Sequence, residues 1–293
     1  MSIPCATLSY ILTALETSRE DLYAQGIDPD SLVAIYNDFL TRKDELNAIS
    51  HITANTLLQA PGAQAIRYRI KDPLHLLRKV IRKKAEYPER IIDHRSYLDW
   101  INDLVGIRVL YLYKESWRSL GQYIEEVWPL KRPPVAYIHE SDTGMLVEEL
   151  AKEGCILRRH PLGYRAVHYV ISTQPHRQRY FVEIQLRTLF EEGWSEIDHT
   201  VRYPDRACNG FARDLLAVLN RLTGNADDIA TLIKLFFDKM QAKKSGQSTA
   251  TSWTQEERHE LEDEVEKLPV TPEERQRLRE HIRQLPGSTH SAD

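Results

Sequence analysis

Cysteine is scarce in this sequence, and its few copies are far apart. The 293 residues contain three cysteines, Cys5, Cys155 and Cys208. They form no C-x-x-C pair and no zinc-ligand spacing, and their odd number argues against a disulfide framework. We therefore expect a protein of a reducing compartment, the cytoplasm, and not a disulfide scaffold or a zinc module.

Long apolar runs and an excess of positive charge are also missing. No segment approaches the roughly 20 consecutive apolar residues of a membrane-spanning helix, and the first residues lack the basic leader of a secretory signal. The 39 Lys and Arg against 43 Asp and Glu give a formal net charge of -4. We expect a soluble protein without membrane association, whose affinity for phosphate or nucleic acid comes from a local patch.

The apolar fraction of 42% is sufficient for a packed core, and its spacing predicts both helices and strands. Helical periodicity dominates up to Pro61-Gly62. Runs of β-branched and aromatic residues predict three strands, 105–113, 166–172 and 180–188. Helices are predicted from 73, at 116–128, at 148–153, after 188 and at 212–243. The order predicts an α+β fold, a mixed β-sheet flanked by helices with helical N- and C-terminal extensions.

The composition changes along the chain and predicts five segments. They are N-terminal helices (1–64), the core (65–205), a C-terminal helix (206–243), a polar linker (244–253) and a charged helical hairpin (254–285). In the hairpin, Thr254 with Glu257 and Thr271 with Glu274 have the capping-box pattern of helix starts.

Polar residues that could bind a ligand or take part in a reaction gather in four places, and the first is basic. Between positions 67 and 90 there are nine Lys or Arg and three acids, a local charge of +6. Such a patch suits a polyphosphate or a nucleic-acid backbone. A solvated helix face is the alternative interpretation.

The second place is Asp103, at the start of the strand in which Gly106 and Arg108 share a face. A carboxylate at a strand end is a common Mg²⁺ ligand, and equally a common turn or cap residue.

The third place is the stretch from Gly163 to His168. Tyr164 lies beside Arg165, and an aromatic ring beside cations is how proteins hold bases and phosphates. A surface tyrosine next to a turn is the alternative.

The fourth place is the strand FVEIQLRT, 181–188. Because side chains alternate across a strand, Glu183, Gln185 and Arg187 share one face. The alternative is an ion-pair ladder on a solvated face, but the helix that follows brings further polar groups, from Trp194 to His199.

The order and spacing of these elements resemble the RelA/SpoT-type nucleotide pyrophosphokinase domain. The matching elements are Arg69-Ile70-Lys71 with Lys79, Asp103-Leu104-Val105-Gly106-Ile107-Arg108, Gly163-Tyr164-Arg165-Ala166-Val167-His168, Glu183-Ile184-Gln185-Leu186-Arg187-Thr188, and Trp194 with His199. The resemblance covers about residues 65 to 205 and implies a nucleotidyltransferase-like synthetase core.

The resemblance implies transfer of the β,γ-pyrophosphate of ATP to the ribose 3′-hydroxyl of an acceptor nucleotide, GDP or GTP, giving a (p)ppGpp-type alarmone of the stringent response. It implies that Asp103 and Glu183 hold Mg²⁺ and that Glu183 takes the proton of the attacking hydroxyl. On the ATP side, it implies that Arg69 and Arg108 enclose the adenine.

The remaining implied contacts belong to the phosphates and the acceptor. The resemblance gives Lys71 and Lys79 to the triphosphate and Tyr164 to stacking on the acceptor base. Four further residues are expected to line the acceptor site: His168, Gln185, Arg187 and His199.

The sequence departs from the family pattern on the acceptor side, so the acceptor stays open. The family's lysine-containing K-D-Y-I-like segment has no counterpart before Gly163, Ala166 and Val167 replace Ser and Leu, and His75 replaces a Ser. A toxin-like enzyme that modifies the 3′ end of tRNA, or one that uses an adenosine nucleotide, is the alternative. A non-catalytic nucleotide-binding module is an alternative of another class.

The terminal segments carry two further expectations. Residues 1–64 are too few for the family's hydrolase domain and lack a His-Asp metal pair, so no hydrolase activity is expected. The terminal helices are candidates for homo-oligomerisation or for a regulatory partner.

Overall fold

The computed structural model describes residues 6–140, 142, 145–202, 210–244 and 252–287. It divides into two compact units. The first comprises the residues up to Tyr111 together with Trp117–Arg187, and the second comprises Leu112–Ser116 and the residues from Thr188 onward. The five segments predicted above stay a prediction, and most of the proposed linker lies outside the described residues.

The first unit opens with four helices: α1 (Leu8–Leu15), α2 (Arg19–Ala24), α3 (Pro29–Thr41) and α4 (Lys43–Leu57). Ser18 begins α2 with a capping box, and Asp28 caps α3 ahead of Pro29. Both devices satisfy backbone N–H groups that have no partner inside a helix. Helix α4 packs on the first two strands of the sheet that follows.

A six-stranded sheet is the centre of this unit. Its strands are β1 (Ala65–Ile70), β2 (Val105–Tyr111), β3 (Val135–Ile138), β4 (Ile156–Arg159), β5 (Ala166–Thr173) and β6 (Tyr180–Thr188). Their order is β1-β2-β6-β5-β3-β4. Strands β3 and β4 are parallel, whereas the pairs β1–β2, β3–β5 and β5–β6 are antiparallel. The predicted α+β class with a mixed sheet is confirmed.

Strands β2, β5 and β6 occur where the sequence predicts them, whereas β1, β3 and β4 were not predicted. The connecting helices are α5 (Pro73–Glu86), α6 (Tyr97–Trp100), α7 (Ser116–Val127) and α8 (Met145–Lys152). Asp72 caps α5 as expected, because its carboxylate accepts from the backbone N–H of Leu74 at 2.9 Å and of His75 at 3.0 Å. This cap fixes where α5 begins and so which of its residues face the sheet.

Side-chain alternation gives the sheet an apolar face and a polar face. Val182, Ile184 and Leu186 are fully buried in the core of the unit. Val105, Ile107 and Val109 of β2 join the same core. The intervening residues of β2 and β6 therefore point to the opposite face, where the polar residues lie.

The second unit is helical, with α9 (Leu189–Arg202), α10 (Gly210–Lys244), α11 (Gln255–Lys267) and α12 (Pro272–Gln284). The two predicted capping boxes, at Thr254 and Thr271, are present. Trp253 stacks on Phe236 of α10, with ring centroids 5.4 Å apart, in a small core shared by the hairpin and α10.

Within the described part of the chain, none of the helices combines the length and the apolarity needed to cross a membrane.

Candidate active site

The polar face of β6 carries a continuous hydrogen-bonded row. Arg187 Nη2 donates to Gln185 Oε1 at 2.7 Å, and Gln185 Nε2 donates to Glu183 Oε2 at 2.7 Å. Each residue is two positions from the next, so the row follows directly from strand alternation. The Gln185 amide links the Arg187 guanidinium to the Glu183 carboxylate, so both charged side chains are held in place by hydrogen bonds.

A second carboxylate, Asp103, lies just before β2 and is held by two lysines. Lys71 Nζ is 2.7 Å from Asp103 Oδ2, and Lys79 Nζ is 2.8 Å from Asp103 Oδ1. Lys71 follows β1, and Lys79 is on α5. Three elements that are separate in sequence therefore meet at one carboxylate.

The ionisation of this cluster depends on its charges. Burial by itself would raise the pKa of Asp103, but the positive charges of Lys79 and Lys71 outweigh burial and lower it. Burial lowers the pKa of Lys71, with Asp103 opposing and the charges of Lys79 and Arg69 adding to the lowering. The carboxylate is held ionised, while Lys71 loses some of its preference for the charged form.

Glu183 is also held ionised. Burial would raise its pKa, but the hydrogen bond and charge of His168, the amide of Gln185 and the charge of Lys79 lower the pKa from 4.5 to about 2. His168 Nδ1 is 3.6 Å from Glu183 Oε1. The charge of Lys79 acts on both Glu183 and Asp103, so the two carboxylates belong to one electrostatic site.

Tyr164 is held by neighbouring side chains and does not project freely from a turn. Its hydroxyl and His168 Nε2 lie 2.8 Å apart, Arg187 Nη2 donates to the same hydroxyl, and the Arg187 guanidinium lies 4.6 Å from the ring centroid. The rings of Tyr137 and His160 contact Tyr164 at centroid distances of 5.6 and 5.4 Å. Burial raises the pKa of Tyr164 to about 12, so the phenol stays protonated.

The two arginines expected at adenine share the polar face of β1 and β2. The register pairs Arg69 with Gly106 and Arg67 with Arg108. A Cβ added to Gly106 would lie 3.8 Å from both Cγ and Nε of Arg69, so the Arg69 side chain passes over the glycine. The structure thus brings Arg69 beside Arg108 and adds Arg67, which sequence reasoning did not single out.

His199 is the one predicted site residue that lies in the second unit, on α9. The other ten lie in the first unit: Arg69, Lys71, Lys79, Asp103, Arg108, Tyr164, His168, Glu183, Gln185 and Arg187. Hydrogen bonds, ion pairs and charge interactions connect these ten as one cluster. The role given to His199 stays a prediction.

Sequence reasoning missed Lys131, which lies at the polar face of the sheet, against Phe181 of β6. The Nζ of Lys131 lies 3.6 Å from the ring centroid of Phe181. It also donates to Oδ1 of Asn102, the residue before Asp103, at 2.8 Å. Burial, with the nearby charges of Arg179 and Arg132, lowers the pKa of Lys131 to about 8 although Asp99 opposes. The signal available in the sequence was Phe181, which alternation places on the polar face of β6.

Sequence reasoning also missed Asp142, the partner of Arg165. Arg165 donates to Asp142 through Nε at 2.8 Å and Nη2 at 2.9 Å, a bidentate ion pair. Asp142 also accepts from the backbone N–H of His139 at 2.7 Å. Arg165 therefore holds Asp142, which lies in the segment where the sequence departs from the family pattern.

The donor set suits a hard divalent cation. Among the described residues, no group of three or more His, Cys, Asp or Glu could by itself hold a metal. Two ionised carboxylates, Asp103 and Glu183, are nevertheless what Mg²⁺ takes from a protein when substrate phosphates complete its shell. The residues therefore fit Mg²⁺ bound together with a polyphosphate, and not a metal caged by protein alone.

Comparison with known proteins identifies the class. Residues 68–207 match the family model for the region found in RelA and SpoT proteins. The matched range contains every predicted site residue, from Arg69 to His199. The predicted resemblance to a RelA/SpoT-type domain is confirmed for this region of the chain.

Solved structures give matches at low sequence identity. The small alarmone synthetase 1 from Bacillus subtilis has a TM-score of 0.49 at 16% identity, covering 69% of this chain and 95% of that chain. A GTP pyrophosphokinase family protein from Streptococcus pneumoniae has a TM-score of 0.48 at 17% identity, covering 68% and 92%. The Bacillus subtilis enzyme bound to its product pppGpp has a TM-score of 0.44 at 18% identity, covering 67% and 92%. No curated protein matches the sequence.

Proposed function

We propose that this protein is an ATP-dependent pyrophosphokinase that transfers the β,γ-pyrophosphate of ATP to the ribose 3′-hydroxyl of GDP or GTP. The product is a (p)ppGpp-type alarmone. The observation that carries the proposal is the meeting of two ionised carboxylates, Asp103 and Glu183, around Lys79 within the RelA/SpoT region.

This arrangement suits phosphoryl-type transfer. Such transfer needs little covalent help from the protein, and positioning with charge neutralisation supplies most of the rate. Lys71 and Lys79 both contact Asp103, and their ammonium groups are placed to bind the triphosphate of ATP beside it. Arg69 and Arg108 enclose the adenine, a role suited to planar guanidinium groups.

Asp103 and Glu183 would hold Mg²⁺, which when bound neutralises the phosphate charge. The low pKa of Glu183 favours ion binding over proton removal, because a carboxylate with a pKa of about 2 is a weak base. In the proposal Glu183 keeps both roles, and His168 and Gln185 orient its two oxygens.

The acceptor lies against Tyr164, whose ring has Arg187 on one side. Gln185, Arg187 and His168 then contact the acceptor ribose and phosphates. Because the segment before Gly163 lacks the family's acceptor lysine, the acceptor must be established by assay.

The test is one labelled-transfer experiment. Purified protein, Mg²⁺ and ATP labelled at the γ-phosphate are mixed in parallel with GDP, GTP, AMP, no acceptor, or bulk tRNA, and the labelled product is identified by chromatography or on a gel. We expect label on GDP or GTP. Label on tRNA or on an adenosine nucleotide would replace the guanosine acceptor with one of the alternatives.

Control variants distinguish loss of the transfer reaction from loss of the folded protein. Glu183→Gln should transfer no label while still binding ATP, and Glu89→Gln, at an exposed glutamate, should behave as wild type. Wild-type protein that binds ATP and labels none of the acceptors would overturn the enzymatic proposal in favour of a nucleotide-binding module.

A further inference from the structure

One side of helix α10 is covered by α9, and the opposite side is apolar and exposed. Leu216, Asn220, Gly224 and Asp227 are buried on the side where α10 packs against α9. Along the opposite side, seven large apolar side chains have exposed fractions between 38% and 74%. They are Phe211, Leu215, Val218, Leu222, Ile229, Ile233 and Phe237, and together they are called the outer stripe.

The outer stripe is continuous. With about 3.6 residues per turn, its seven members fall within about 100° of the helix circumference, along roughly 40 Å of axis. Side chains of this size and exposure present on the order of 600 Å² of apolar surface, at the upper limit of what monomers normally expose. With its flanking residues the stripe approaches the roughly 800 Å² per partner of a standard interface.

The hairpin of the same unit does not cover the stripe. Its core with α10 uses Leu232, Leu235, Phe236 and Met240, whereas Ile233 and Phe237 remain exposed beside these residues. Among the described residues, the seven members of the stripe keep their exposure with the hairpin in place.

We propose that the outer stripe is the interface at which two copies of this chain pair, with their α10 helices antiparallel. The spacing is self-complementary about Gly224. Phe211 and Phe237 are equidistant from it, as are Leu215 and Ile233, and as are Leu222 and the smaller Ala226. An antiparallel two-fold pairing therefore places aromatic against aromatic, aliphatic against aliphatic, and large against small.

The charges beside the stripe favour the same arrangement. Arg221 and Asp228 are seven residues apart on one flank of α10, almost equidistant from Gly224. In the antiparallel pair, Arg221 lies next to Asp228 of the partner subunit, and the contact occurs twice. Asp228 already binds Lys114 at 2.5 Å, but its side chain is 46% exposed and can accept another donor. In a parallel two-fold pair, the flanks that carry Arg221 and Asp228 would lie on opposite sides of the interface, so this contact between the copies would be lost.

The first test is the oligomeric state of the full chain by sedimentation velocity across a concentration series. We expect wild-type protein to be a dimer, or an assembly of dimers, at micromolar concentration. Leu222→Glu should raise the dissociation constant at least about a hundredfold, because it buries charge at the centre of the interface. Ile52→Glu, at an exposed residue of α4 outside the stripe, is the matched control and should leave association unchanged.

Two further experiments test the proposal if Leu222→Glu misfolds. Arg221→Glu changes an exposed flank residue and should weaken the pair by roughly tenfold. Leu215→Cys and Ile233→Cys, each in a chain with Cys5 and Cys208 replaced by serine and only the buried Cys155 retained, should cross-link to each other between copies and not to themselves.

Three results would overturn the pairing. They are a monomeric wild type at about 100 μM, a dimer that Leu222→Glu and Arg221→Glu leave intact, and cross-links of each cysteine only to its own counterpart. A monomer would mean that another part of the chain, or a different protein, covers the stripe.

Discussion

At the scale of single residues, the chemistry depends on groups whose charge is fixed by neighbours. Glu183 is ionised because His168 and Gln185 outweigh its burial, and Asp103 is ionised because two lysines do the same. Neither carboxylate would be reliably charged in an apolar site without those partners. The cations and the carboxylates therefore form one functional set.

Glu183→Gln tests the central carboxylate. The change removes a charge and a base with little change in volume, so we expect kcat to fall at least about a hundredfold while the Kd for ATP stays within about tenfold. Steady-state transfer and isothermal titration with ATP measure the two quantities. A fully active variant would remove Glu183 from the mechanism.

Tyr164 separates stacking from hydrogen bonding. Tyr164→Ala should raise the acceptor KM roughly tenfold or more with little effect on the ATP KM, because base–aromatic stacking is worth about 1–3 kcal/mol. Tyr164→Phe keeps the ring and loses only the hydroxyl contacts to His168 and Arg187, so it should retain most of the acceptor affinity. If Tyr164→Ala weakened only ATP, the assignment of the two nucleotide sites would be reversed.

At the scale of elements, replacing two helical glycines by alanine should have opposite effects on stability. A Cβ at Gly121 of α7 would lie 2.3 Å from the hydroxyl oxygen of the buried Tyr169, whereas one at Gly193 of α9 would meet no atom within 4 Å. Alanine favours a helix over glycine by up to about 1 kcal/mol, so packing alone decides the difference.

Gly121→Ala should therefore destabilise the protein by about 1–3 kcal/mol, and Gly193→Ala should leave it unchanged or slightly more stable. Denaturant unfolding measures both. Combining Gly121→Ala with Tyr169→Phe should recover part of the loss, because it removes the clashing oxygen. Equal effects of the two alanines would contradict the tight approach of α7 to β5.

At the scale of the whole molecule, the second unit contains a buried carboxyl that weakens it. Burial and the negative charge of Glu191 raise the pKa of Asp227 well above its usual value of 3.8, although Thr188 donates to it at 2.8 Å. A carboxyl whose pKa is raised in the folded state contributes to the free energy of unfolding when it is protonated. This contribution is full below the unfolded-state pKa and is lost as the pH rises toward the folded-state pKa.

Asp227→Asn should therefore stabilise this unit relative to wild type, and the gain should grow as the pH rises from about 4 to about 7. Thermal unfolding at several pH values measures the gain, with Asp214→Asn at an exposed position of the same helix as the control. A gain that is independent of pH would mean that packing, and not ionisation, sets the effect.

Much of this protein was determined by local sequence. Alternation in β2, β5 and β6, the cap at Asp72 and the capping boxes at Thr254 and Thr271 all involve residues close in the chain, so they could be predicted. The order of the polar motifs likewise identified the RelA/SpoT family, which residues 68–207 confirm.

Only the tertiary structure decided the rest, because it depends on pairing between distant segments. Strand β1 is rich in arginine and becomes a strand through its pairing with β2, which also brings Arg67 beside Arg108. Lys131 reaches Phe181 only because its segment runs beside β5. The exposure of one side of α10 likewise follows from α9 covering the other, and a periodic apolar pattern alone cannot show which side stays open.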